Sequence, residues 1–236
     1  MQVDDEKLNI IVGGIVSLTT IDYPGCLSLV VFCQGCPWRC VYCHNKHLQK
    51  ISRLDGLPWD DVSLLIDERK NFIDAVVFSG GEPLIQNDLD KAMKSVKDKH
   101  LLVGLHTTGV LFEKFAKIIG YVDWVGFDVK APFEKYGKII QQPDDASIAA
   151  ASNVKKSLEL LLESRVNYEV RVTLDNALEI DEILEMSRDL KDIGVQNIAF
   201  QVVRDEQNIA IRHAILANVN AMNEINAYFP NLIIRS

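Results

Sequence analysis

Leu27-Ser28-Leu29-Val30-Val31-Phe32-Cys33 runs through Gln34-Gly35 straight into Cys36-Pro37-Trp38-Arg39-Cys40-Val41-Tyr42-Cys43-His44-Asn45. The first half is apolar and β-branched and lies between Gly25 and Gly35, which predicts a buried strand. The second half holds three cysteines spaced C-x3-C-x2-C. One compact loop of that spacing can aim three thiolates at a single cubane iron–sulfur cluster. Ordinary ferredoxin-type clusters use four cysteine ligands. A trio leaves one iron without a protein ligand, open to a small molecule.

All five cysteines lie between Cys26 and Cys43. So tight a group cannot staple distant parts of a fold. The chain also starts polar and acidic, with no apolar signal core. Metal or redox chemistry in a reducing, cytoplasmic setting is therefore the expectation. Zinc is the competing occupant, with Cys33 or His44 as a fourth ligand. Cys33 and Cys36 also form a C-x2-C pair, a spacing that redox-active thiols use. As the last residue of a buried strand, Cys33 is expected instead to be a small apolar core residue, and so is Cys26. The 236 residues are 48% hydrophobic, enough for a sizeable core. A net charge of −8 argues against a broad nucleic-acid-binding surface. No apolar run reaches membrane-spanning length.

Outward from the cysteine loop the chain alternates. Further strands are expected at 73–78, 101–105, 124–129, 168–174 and 198–203, with a short terminal one at 232–235. Helices are expected at 59–68, 88–99, 112–119, 152–164, 180–193 and 209–228. Residues 1–10 read as a loosely docked start, 13–25 as a short strand and a Pro-Gly turn, and 131–151 as the longest irregular segment. Alternation of this kind implies a mostly parallel sheet with right-handed crossovers. Six units rather than eight predict an α/β partial (β/α)6 TIM-like barrel, with a doubly wound open sheet as the competitor. No linker or repeat justifies a second domain within 1–236. In such barrels, sites gather at the carboxyl ends of the strands. Here those ends carry the cysteine loop, Gly80-Gly81-Glu82-Pro83, Thr107-Thr108-Gly109 and Asp128-Val129-Lys130, while Arg171 and Gln201 lie in the last two strands.

The cysteine trio, with the aromatic Tyr42 before its last member and Cys43-His44-Asn45 after it, resembles the signature of the radical S-adenosylmethionine (radical SAM) family. Within that family it is similar to the branch that activates glycyl-radical enzymes. The resemblance runs from about Gly13 to Arg235. It implies that Cys36, Cys40 and Cys43 ligate a [4Fe-4S] cluster, and that Gly80-Gly81-Glu82 takes the methionine ammonium group of SAM. It places Tyr42, Thr107, Thr108 and Gln201 near SAM. Asp128-Val129-Lys130-Ala131-Pro132 resembles the D-x-K-A-P stretch of the ribonucleotide-reductase-activating branch, which puts Asp128 and Lys130 near SAM and the substrate glycine. On a strand these two side chains share a face; a surface ion pair is the plainer reading. Arg171, a charge inside an apolar strand, needs an anionic partner. The SAM carboxylate is one candidate and a carboxylate of the barrel is the other. Relatives often read D-T-N-G where this chain has His106-Thr107-Thr108-Gly109. A cation site that the aspartate serves there is not expected here.

The resemblance also implies a mechanism. SAM binds the open iron and takes one electron delivered by a donor such as flavodoxin or ferredoxin. The bond from sulfonium to the 5′ carbon breaks, giving methionine and a 5′-deoxyadenosyl radical. That radical removes hydrogen from a glycine α-carbon of a partner, with anaerobic ribonucleotide reductase the foremost candidate. No cysteine follows Cys43, so no ligands are present for accessory clusters. Two other outcomes compete: a radical SAM enzyme modifying a small molecule or peptide, and a non-catalytic iron–sulfur or zinc module that binds a partner.

Overall fold

The computed structural model describes residues 7–51, 56–203 and 213–235. They fall into two compact units, one made of the described residues within 7–37, 45–107 and 113–125, the other of those within 38–44, 108–112 and 126–235. In the first unit, β1 (Val12–Thr19) pairs antiparallel with β2 (Ser28–Cys33). Strand β2 is parallel to β3 (Ala75–Gly80), and β3 to β4 (Leu102–Thr107). The expected short strand is a full eight-residue one, bent by register shifts on either side of Gly14 to Val16, and the expected Pro-Gly turn follows it, closed by the Cys26 N–H on Tyr23 O at 3.1 Å. Leu29, Val30 and Val31 are fully buried, as befits a strand covered on both faces. Helix α1 (Trp59–Arg69) lays Trp59 against Phe78 of β3, with ring centroids 5.8 Å apart. Helix α2 (Leu89–Asp98) buries Leu89, Ala92, Met93 and Val96, one face at helical spacing. Helix α3 spans Phe112–Ile118. Tyr23, Val30, Ala75, Val77 and Trp124 form a core cluster of this unit.

Strand β5 (Trp124–Val129) begins in the first unit and ends in the second. The second unit continues with α4 (Tyr136–Ile140), α5 (Asp144–Ser164), β6 (Asn167–Leu174), α6 (Ile180–Ile193), β7 (Ile198–Val202), α7 (Val219–Tyr228) and β8 (Ile233–Arg235). Strands β6, β7 and β8 are parallel neighbours. The expected irregular segment 131–151 is largely helical, because α5 starts at Asp144. Pro143, whose fixed φ suits a helix start, and the acidic pair Asp144-Asp145 in the first turn are start signals rather than loop signals. Helix α5 buries Ser147, Ala150, Ala151, Val154, Ser157, Leu158 and Leu161, so its inner face uses small residues where it comes close to its neighbours. Gly194, in the left-handed region at φ 101°, ends α6. Residues 209–212 of the expected helix at 209–228 lie outside the described residues, as do residues 1–6 of the expected loose start; the rest is not one helix but a 3-10 turn at Ala214–Ala217 followed by α7, which starts at Val219 because the Asn218 side chain caps it.

Candidate active site

In the first unit the chemistry-bearing residues stand on the ends of β2, β3 and β4. Gly80 has φ 113°, which only glycine adopts freely. A Cβ on Gly81 would lie 2.0 Å from the carbonyl oxygen of Gly35. The Gly81 N–H donates to Cys33 O (2.9 Å) and the Glu82 N–H to Gly35 O (2.9 Å), so this loop lies flat on the strand end that leads into the cysteines. Glu82 is fully buried. Its Oε1 accepts from Thr107 Oγ1 at 2.6 Å and from the Leu84 N–H at 3.2 Å, capping the 3-10 turn Pro83–Ile85. The Thr107 hydroxyl is therefore spent on Glu82, which it holds in place.

His106, one residue earlier, does structural work. Its Nε2 lies 2.8 Å from Asp22 O and its Nδ1 3.2 Å from Ser79 Oγ, and it packs edge-on against Trp124. A carbonyl can only accept, so Nε2 carries a proton. His106 and Thr107, on opposite faces of β4, thus hold the two sides of the Ser79–Glu82 loop.

Cys33 is fully buried, and burial, aided by nearby Glu82, pushes its thiol well above the ordinary range. It sits where a small apolar core residue is expected. None of the five cysteines is in a disulfide. Among the described residues, no three His, Cys, Asp or Glu side chains converge as they would on one metal ion. A cubane asks for a different spacing, because each thiolate binds an iron of its own. The Cys36 N–H donates to Gln49 O at 3.2 Å.

The second unit holds the rest of the loop. The Cys43 N–H donates to Cys40 O (3.1 Å), closing a turn, while Arg39 N–H and Val41 N–H donate to the carbonyls of Ile140 (3.1 Å) and Ile139 (3.2 Å). Beside the loop is a charged group. Lys130 Nζ lies 3.0 Å from Asp128 Oδ2 and 5.8 Å from the centre of the Tyr42 ring. Arg171 Nε donates to Asp128 Oδ1 at 2.9 Å and its Nη2 to Gly126 O at 3.1 Å. The carboxylate that a buried arginine requires is thus one of the chain's own. Asp128 and Lys130 do share a face, and only 15% of the Lys130 side chain is exposed, so this is no loose surface pair. Burial pulls the Lys130 ammonium down, but Asp128, Tyr42 and Cys40 outweigh it and hold its pKa above the ordinary value. Burial raises the Cys40 thiol, while Lys130 works the other way. Burial also raises the pKa of Tyr42. The Tyr42 hydroxyl is buried without a hydrogen-bond partner. Thr108 is buried, and Gln201 is half-buried on β7 opposite Thr173.

Two contributors escape a reading of the sequence. Tyr136 accepts the Lys130 N–H at 3.2 Å, and its ring packs edge-on against Trp38 of the cysteine loop. Gly126 makes room for Arg171, because a Cβ there would lie 2.6 Å from the guanidinium carbon. Its signal was a glycine inside a strand, which marks a close approach.

The donor set suits an iron–sulfur cluster: three cysteines within eight residues, none of them in a disulfide. The crowding at Gly81 comes from the chain's own Gly35 and Leu48 backbone and fixes the shape of the Gly80–Glu82 loop; the Glu82 carboxylate that the loop carries suits an ammonium group.

Residues 30–174 match the family model of the radical SAM superfamily. The chain is 29% identical over 234 residues to a Methanocaldococcus jannaschii protein named, provisionally, as a glycyl-radical enzyme activating enzyme, covering 96% of each. It is 26% identical to the 7-carboxy-7-deazaguanine synthase of the same organism, with 79% of each chain covered. It is 31% identical to the pyruvate formate-lyase-activating enzyme of Streptococcus mutans, over 64% of this chain and 62% of that one. Among solved structures, Streptococcus suis SuiB bound to S-adenosylmethionine superposes with a TM-score of 0.61 at 14% identity over 85% of this chain, which spans about half (48%) of SuiB. No helix among the described residues is long and apolar enough to cross a membrane. The fold class expected from the sequence, α/β with a parallel sheet and a TIM-like core, is that of this family, whose cofactors are a [4Fe-4S] cluster and SAM. This chain belongs to the radical SAM superfamily and is an enzyme of that type.

Proposed function

We propose that the chain is an activase that reductively cleaves SAM and installs a radical on a glycine of a partner enzyme, the partner being anaerobic ribonucleotide reductase. The observation that carries this reading is the largely buried Asp128–Lys130 pair beside Tyr42, in a D-x-K-A-P stretch like that of the reductase-activating branch. Cys36, Cys40 and Cys43 hold the cluster. The Gly80–Glu82 loop takes the SAM ammonium, with Thr107 fixing Glu82. Lys130 and Arg171 together outnumber the single Asp128 carboxylate between them, which leaves positive charge for the SAM carboxylate. Tyr42, Thr108 and Gln201 complete the surroundings of the cofactor. Bound there, the cluster would supply a one-electron reduction of the SAM sulfonium, the electron coming from a flavodoxin or ferredoxin, and SAM would supply the hydrogen-abstracting group. The protein's part is to orient the two cofactors and to exclude water.

The test is to mix anaerobically reconstituted, reduced protein with SAM and candidate glycyl-radical enzymes and to record EPR spectra. A glycyl doublet is expected with the reductase. A doublet only with pyruvate formate-lyase changes the partner. SAM cleavage without any doublet favours the second reading, a small-molecule substrate, which the likeness to 7-carboxy-7-deazaguanine synthase supports.

A further inference from the structure

A groove of about 460 Å³ opens in the second unit, lined by the stretch from Phe133 to Lys138, by Gln142 and by Asp144, Ser147 and Ile148 at the start of α5. Its floor is apolar. Phe133 stacks on Tyr136 with ring planes 3° apart, and Ile148, 69% exposed, stands at its side. Gly137 keeps the floor low: a Cβ there would meet Ser147 Oγ at 2.9 Å. One exposed isoleucine means little by itself, but Ile148 lines the same groove as the Phe133 ring and extends its apolar surface.

The charges around the groove are unbalanced. Its two lysines are already neutralised from α6, Lys138 by Glu182 (2.6 Å) and Lys135 by Glu185 (2.7 Å). Glu134 and Asp144 line the groove as well, and Asp145 follows on α5. Asp189, the next acid along the same face of α6, has its carboxyl pushed above the usual range by burial and by Glu185, with Lys155 working against the rise and Glu134 adding to it. Against these acids stands Lys155 of α5, whose Nζ lies 6.0 Å from the centre of the Phe133 ring; Glu134, Asp144 and Asp145 outnumber it, so the rim toward solvent is net negative around an apolar floor.

The groove is also continuous with the active-site candidates. The Tyr136 ring lines it, while the Tyr136 hydroxyl accepts from the Lys130 backbone. The far end of α4, at Ile139 and Ile140, receives the Arg39 and Val41 N–H groups of the cysteine loop. One short helix thus faces the groove on one side and braces the cysteine loop on the other.

We propose that this groove docks an extended segment of the partner enzyme that carries apolar side chains flanked by arginine or lysine. The inference rests on the activase reading for the partner's identity, but the groove's preference for basic apolar peptide does not. A seated segment would run beside the Asp128–Lys130 stretch and would steady α4, and through it the cysteine loop.

The test uses a fluorescein-labelled nonapeptide with arginine at both ends and leucine, alanine and a central glycine between, and a copy with glutamate in place of arginine. Fluorescence anisotropy should show the arginine peptide binding the reconstituted protein, more weakly as salt rises, and the glutamate copy binding at least tenfold more weakly. Ile148→Arg and Asp144→Lys, both on the exposed surface of α5, should each weaken the arginine peptide about tenfold. They should leave reductant-driven SAM cleavage without partner unchanged, and should lower glycyl-radical yield at limiting partner. Equal binding of the two peptides, no binding of either, or wild-type affinity in both variants overturns the proposal, whatever the EPR assay of the unmodified protein returns. Conversely, selective peptide binding without any glycyl signal leaves the groove in place and removes the activase reading.

Discussion

The loop from Gly80 to Glu82 and the cluster around Asp128 are both assigned to SAM in the function proposed above, yet each is specified in an opposite way. The first is defined by what is missing. Its backbone lies so close to Gly35 that no side chain fits on Gly81, and its single carboxylate is pinned by a threonine and a backbone N–H. The second is defined by excess. Asp128 carries two cations, and Gly126 and Tyr136 are spent on accommodating them. Packing tolerances are short-ranged and indifferent to pH, whereas charge arrangements respond to pH, salt and the loss of one partner. Substitutions in the two places should therefore fail differently.

The largest effect is expected from Gly81→Ala. Its Cβ would meet backbone, which cannot swing aside, so the loop must shift; overpacking of this kind costs about 3 kcal/mol at its upper range. Gly14→Ala, with nothing within 4 Å of the added atom, is the control. Urea unfolding should separate the two, and equilibrium dialysis should show SAM binding lost only in the first. An unchanged midpoint for Gly81→Ala would mean that the loop is not sterically defined. Next comes Asp128→Ala. It strands Arg171 and Lys130, and because Asp128 is 24% exposed the loss is set at about 2 kcal/mol, below the usual figure for a fully buried pair. Asp128→Asn keeps the shape and should recover part of the stability but not the SAM affinity. Thr107→Val follows, with about 1 kcal/mol lost as Glu82 loses its hydroxyl donor. Its readout is a rise in KM for SAM larger than the fall in kcat.

Much of this contrast is legible in the sequence, and the reasons differ by element. The parallel strands can be read to within two residues, because each is an apolar run stopped by glycine or a polar turn. The i, i+2 spacing of Asp128 and Lys130 predicts a shared face, and the pair sits 3.0 Å apart. Strand β1 is harder to read, since Gly13-Gly14 and its half-exposed edge position blur the alternation. Helix α5 hides behind Pro143, which marks the start of a helix as readily as the end of one. The choice Arg171 makes is not legible at all. Both SAM and a barrel carboxylate satisfy a buried guanidinium, and only the juxtaposition of β5 with β6 brings Asp128, 43 positions away, to the bond. His106 is similar: its departure from the common aspartate is visible, but its bonds to Asp22 and Ser79 need the folded chain.

The smallest predicted effect is also the one that separates the two kinds of site by pH. Glu182 accepts the Glu179 N–H at 2.8 Å and pairs with Lys138 at 2.6 Å, at the point where α6 starts and the groove's lysine is held. Burial works to raise its carboxyl, but the Glu179 N–H and Lys138 outweigh burial and hold it below the usual range. A carboxylate whose folded pKa is depressed adds stability that is present above its unfolded pKa and is lost as pH falls through the folded one. At pH 7, Glu182→Gln should therefore lower stability by about 0.5 kcal/mol, the low end for a helix-start contact. Melting curves taken from pH 7 down to 3 should show the gap between wild type and variant closing below about pH 4.5, the usual carboxylate range. The gap between wild type and Gly81→Ala should stay constant over the same interval, since no proton takes part in that contact. A pH-independent gap for Glu182→Gln would mean that its side chain acts by shape alone, and the contrast between a packed loop and a charged one would lose its second half.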